Sequence, residues 1–157
     1  MNRHVGYGFS APISAAIDIL PESLRHHMTD VHIVTGCDPV FIGLHAYRYS
    51  SDGRSYKHIA HVVYPYHQLT LPKHLRHPTI VLPTMRSICD ILHEMGHIVH
   101  FWYGLDIIVP AIDDDYARIN HHEAFAVAFQ HWVLSSNDPM LDEYIKHLFE
   151  SLLIRSR

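Results

Sequence analysis

His93-Glu94-Met95-Gly96-His97 constrains this chain more than any other stretch, because it asks for a helix that carries two imidazoles on one face. A spacing of four residues stacks side chains one turn apart, so His93 and His97 can hold one Zn²⁺ while Glu94 stands beside them as a base. With 17 His among 157 residues, the pattern has to exceed chance. At this His and Glu content a random chain carries about 0.06 such matches. His93 and His97 are also the only two His of the chain that stand four apart.

The surrounding residues have the period of a helix. From Thr84 to Tyr103, Ile88, Leu92, Met95, Val99 and Trp102 fall within about 40° of one line, which predicts the buried face. His93 and His97 lie about 140° and 180° from Ile88, away from that stripe, where they can line a cleft. Thr84 is the expected N-cap and Gly104 the residue just past the helix end.

A chain of 157 residues fits one domain, 1–157, that buries about 70 % of its unfolded surface. Hydrophobic residues make up 48 % and charged ones 18 %, so the composition is globular. No apolar run reaches membrane-spanning length, and the N-terminal stretch, broken by Gly6, Gly8, Pro12 and Asp18, lacks the apolar block of a signal peptide. The expectation is a cytoplasmic protein by default, with no membrane association. A net charge of −4 gives no support to nucleic-acid binding. Cys37 and Cys89 form no CxxC spacing and are expected to be reduced core or near-core thiols.

The order of elements predicts an α+β fold. A helix is expected within residues 11–28, broken near Pro21. Short strands follow at Val31–Thr35, Leu44–Ser50, Lys57–Tyr64 and Thr79–Leu82, the middle two joined as a hairpin by Ser51-Asp52-Gly53. After the motif helix, Asp113-Asp114-Asp115 reads as a solvated turn rather than a second metal site. A helix from about Asp115 or Asn120 to Ser135 carries Phe125, Phe129 and Trp132, and a last one from Pro139 to about Ile154 carries Leu141, Ile145, Leu148, Phe149 and Leu152.

Catalytic zinc takes three protein ligands and keeps one position open, so a third ligand is required. The continuation HExxHxxGxxH fails, because positions 100 and 103 are His and Tyr. His100 on the same straight helix would fan too widely for a tetrahedron. Glu123 is the stronger candidate: it sits on a separate predicted helix, where Ala124, Ala126 and Ala128 permit close approach to the motif helix.

At this point the chain resembles a known family. Tyr116-Ala117-Arg118-Ile119-Asn120-His121-His122-Glu123-Ala124-Phe125-Ala126-Val127-Ala128-Phe129 is similar to the second motif of the peptidases related to the catalytic domain of anthrax lethal factor. The resemblance implies a zincin-like single domain, in which a small twisted sheet packs on the HExxH helix and a second helix brings the Glu ligand. It implies His93, His97 and Glu123 as zinc ligands, Glu94 as general base toward zinc-activated water, and Tyr116 as donor to the developing oxyanion. Related glutamate-type zincins often carry an acidic residue four positions after the liganding Glu to orient a bound His. Here that position is Val127, so Asn120 or a backbone carbonyl is expected to orient the imidazoles instead.

The function implied is a zinc metallopeptidase acting on a peptide or protein, with Lys57–Tyr64 as a candidate edge strand for substrate. A second peptidase reading keeps the same ligands and resembles the compact HExxH proteins that cleave phage or stress repressors, whose second motif also begins Glu-Ala; the match from Tyr116 to Asn120 favours the first family. The competing class is a non-catalytic module whose zinc stabilises the fold while its His-rich surface binds a partner.

Overall fold

Ser87 starts the helix that organises the molecule: its hydroxyl accepts the Asp90 N–H at 3.2 Å, satisfying one of the donors that every helix start leaves open. The computed structural model describes residues 3–4, 10–34, 59–68, 72–82 and 87–155. Within them lie strands β1 (Arg3–His4), β2 (His32–Val34), β3 (His61–Val63) and β4 (Thr79–Val81). The helices are α1 (Ser10–Ile19), α2 (Glu22–Arg25), α3 (Ile88–Tyr103), α4 (His121–Leu134) and α5 (Glu143–Arg155). Thr84 and the Leu44–Ser50 arm of the expected hairpin lie outside the described residues. The observed cap of α3 is Ser87.

The architecture is α+β with a small mixed sheet in the order β1-β2-β4-β3. β1 with β2 and β2 with β4 run parallel, and β3 is antiparallel to β4. Side chains alternate across the pleat. Ile33 and Ile80 face the main core, whereas Val34, Val63 and Val81 form a separate cluster. Of the expected strand Lys57–Tyr64, residues 57–58 lie outside the described residues; among the described ones His61–Val63 pairs, and β3 ends the strand order.

α3 is the central element. Ile91, Leu92, Met95, Ile98 and Val99 are fully buried in a core cluster that also takes in residues of α1, the sheet, α4 and α5. The expected single stripe is therefore too narrow, because residues 94–100 are buried on every side of the helix. Trp102 departs in the opposite sense: it lies in the last turn, beyond the core, and is 46 % exposed. Gly104 ends the helix at φ +124°, and its N–H donates to the His100 carbonyl at 2.9 Å. Just before that end, the Tyr103 hydroxyl donates to the Leu152 carbonyl of α5 at 3.1 Å and lies 3.0 Å from His27 Nε2.

α1 and α2 replace a single N-terminal helix, since Pro21 breaks it as expected. α5 begins at Glu143 rather than Pro139, because Asp142 takes the Ile145 N–H at 2.8 Å and sets the start there. Cys89 is exposed in the first turn of α3, not a core thiol, and Cys37 lies outside the described residues. Among the described residues, no helix is long and apolar enough to cross a membrane.

α3 and α4 approach closely at Gly96. A β-carbon there would come within 3.0 Å of the Ala126 α-carbon and 3.1 Å of the Phe129 ring. Backbone cannot yield as a side-chain tip can, so Gly96→Ala must push the helices apart. We expect a net cost of about 1–3 kcal/mol, despite the better helix propensity of Ala. Metal affinity should fall as well, since Glu123 rides on α4. Unchanged urea and zinc titrations would show that the gap can absorb a methyl group.

Candidate metal centre and cleft

α3 and α4 each carry part of one cluster. His93 and His97 project from successive turns of α3, and Glu123 from the first turn of α4. Asn120 caps α4 by accepting the Glu123 N–H at 2.9 Å, so the same short turn that starts the helix also fixes its carboxylate. His93 Nε2 lies 2.9 Å and His97 Nε2 3.4 Å from Glu123 Oε2. The ligand atoms of the three residues fall within 4.8 Å of one another. Metal–ligand bonds near 2 Å at tetrahedral angles place ligand atoms about 3.3 Å apart, so the donor set fits a small divalent cation.

Electrostatics support that fit. Burial works against a charged Glu123, yet the bonds from His93 and His97 hold its carboxyl far below the usual range. Burial lowers the His97 imidazole, but the Glu123 bond and the charges of Glu94 and Glu123 raise it overall. Positive charge is thus favoured where these groups meet. Glu94 is 6 % exposed, and its Oε2 has no hydrogen-bond partner. Burial pushes its carboxyl up, against the pull of His97 and His93. A buried carboxylate oxygen without a partner costs free energy.

Tyr116 stands at the mouth of the site. It lies in the loop before α4 rather than on that helix, 45 % exposed, with its ring edge-on to His93 at 5.6 Å. Asp114 Oδ1 accepts the N–H groups of Tyr116 and Ala117 at 2.8 and 3.1 Å, while Arg118 bridges Asp113 and Asp115. The acidic run is therefore a solvated turn, as expected, and its Asp114 also holds the backbone of Tyr116.

His93, Glu94 and Tyr116 open onto a cleft of about 280 Å³ whose walls include Asp90, Val127, Gln130 and His131. Sequence reasoning missed Gln130 and His131, although with Glu123 and Val127 they share one face of α4 at helical spacing. Tyr64, just past β3, was missed too. Burial first, then the charges of Tyr66, Glu94 and Glu123, raise its hydroxyl pKa. The expectation that Asn120 orients a ligand His is not met by its carbonyl oxygen, which is engaged as the α4 cap. Val127 is buried on the cleft wall and offers no hydrogen bond.

His100 is not a ligand. Its Nε2–H donates to the Ile107 carbonyl at 2.9 Å and its ring stacks on Phe125 at 4.2 Å. Burial, only partly offset by the Ile107 bond and reinforced by His122, lowers its pKa to about 4. Because the imidazole is neutral in the fold but titrates near 6.5 when unfolded, stability is full above pH 6.5. It should decline as pH falls from there to 4, by up to about 3 kcal/mol from this residue. Comparing urea midpoints of metal-free wild type and His100→Gln across that window isolates the effect; equal slopes would refute it.

No protein-family model and no curated protein sequence matches this chain.

Proposed function

We propose that this protein is a zinc-dependent metallopeptidase of zincin-like fold, hydrolysing peptide bonds in a peptide or protein substrate. The observation that carries the reading is the convergence of His93, His97 and Glu123 beside the unpartnered Glu94 oxygen, at the edge of an open cleft. The resemblance of 116–129 to the second motif of the peptidases related to anthrax lethal factor agrees with it. His93 Nε2, His97 Nε2 and a Glu123 oxygen would hold the ion. Bound zinc would supply Lewis acidity, lowering the pKa of water and polarising the scissile carbonyl.

The chain's own residues do the rest. Glu94 takes the proton from the attacking water, a step that its raised pKa favours, and returns it to the leaving amine nitrogen, which is the stronger base. The Tyr116 hydroxyl donates to the oxygen on which negative charge develops. Burial of Glu94 and His97 keeps bulk water from competing for both groups.

Incubating the zinc-loaded protein with a broad peptide library tests the reading. Cleavage that stops with a chelator and returns with zinc is the expected result. Stoichiometric zinc with no cleavage of any peptide would favour the non-catalytic zinc-stabilised module.

A further inference from the structure

We infer that His131, held by Asp138, is a substrate-positioning residue of the cleft, taking an N–H donor of the bound chain on its Nε2. The inference rests on the peptidase reading. His131 Nδ1 lies 2.8 Å from Asp138 Oδ2. A carboxylate only accepts, so the proton sits on Nδ1 and the nitrogen left for a ligand is Nε2, whose lone pair makes it an acceptor in the neutral ring. His131 lines the same cleft as His93 and Glu94, and its side chain keeps 25 % of its exposure. Asp138 is fixed independently of the imidazole: its Oδ1 accepts the Met140 N–H at 2.9 Å and its own N–H donates to the Ser135 carbonyl at 3.0 Å. The ring is thus held in one tautomer by a rigid turn.

Location gives the role. Eight residues separate Glu123 from His131 on α4, roughly 12 Å along the axis, and an extended chain covers that distance in about three to four residues. His131 therefore contacts substrate a few residues from the scissile bond. It positions the chain without taking part in bond cleavage. Gln130 and Asp90 on the same walls add further acceptors. The donor has two sources, a main-chain amide or a Lys or Arg side chain.

The test uses the zinc-loaded protein and one peptide from the library. His131→Ala should raise KM about tenfold, the loss of one hydrogen bond, with kcat nearly unchanged and zinc retained. His131→Gln, whose amide oxygen can accept, should restore most of the affinity. Asp138→Asn keeps the Met140 contact but can donate to Nδ1, moving the ring proton to Nε2, and should raise KM like the alanine variant. Single N-methylations and Lys or Arg to norleucine changes near the cleavage point then separate the two sources: the change whose penalty vanishes in His131→Ala marks the donor. A wild-type KM in His131→Ala overturns the inference while leaving the peptidase reading intact. So does a fall in kcat or in bound zinc as large as the rise in KM. Wild-type protein that cleaves nothing removes both.

Discussion

Replacing Glu94 with Gln is expected to leave zinc binding intact and to lower peptide hydrolysis by about 10²- to 10⁴-fold, the span of a lost general base. The change is isosteric and touches none of the three groups placed to hold the ion. On the transition-state scale it amounts to roughly 3–5 kcal/mol. It should also cost no stability. Glu94 buries a carboxylate with an unpartnered oxygen, and a neutral amide is cheaper to bury, so thermal unfolding of the variant should match or exceed wild type. Turnover above a tenth of the wild-type rate in the variant would remove Glu94 from the base role. Loss of zinc together with activity would make it a structural residue instead.

Glu123→Ala should have the largest effect on the metal. It deletes the one ligand supplied from outside α3, leaving two imidazoles that cannot complete a site. Affinity should fall by more than the roughly 100-fold that even an outer partner of a ligand can cost. In a thermal assay at fixed zinc, that fall removes about 2.7 kcal/mol or more of ligand-linked stabilisation. For a domain of this size each kcal/mol is roughly 2–4 °C, so the zinc-induced rise in Tm should largely disappear. Glu123→Asp, which keeps the charge on a shorter stem, should recover part of it. Full zinc-induced stabilisation in Glu123→Ala would assign the third ligand elsewhere.

The candidate metal cluster was legible because its geometry is local. A four-residue interval on a helix fixes His93 against His97 with no knowledge of the rest of the fold, and the Asn120-to-Glu123 cap interval fixes where α4 begins. The closeness of the two helices was legible only as a tendency of small residues. Which of them meet, Gly96 and Ala126, depends on the tertiary register of α3 against α4. The burial of α3 on all sides was not legible, because a wheel reports the polarity of a face and not what covers it: the His face is covered by another helix that brings its own carboxylate. Trp102 was misread for the converse reason, since periodicity continues to the end of a helix after the core has stopped. His131 escaped notice because its meaning comes from Asp138, brought back by a turn after the helix ends.

The Tyr103 hydroxyl bears on whether this centre is portable. All three residues of the candidate metal cluster lie within a 30-residue separation, on two helices that could be cut out as a hairpin. Yet the end of α3 is closed by groups 76 residues before and 49 residues after it, His27 and the Leu152 carbonyl. A hairpin of 87–134 loses both, together with Phe149, whose ring packs on Phe125, Phe129 and Trp132. The centre is thus encoded locally but supported from distant parts of the sequence, and transplanting it requires the surrounding domain, not the two helices alone.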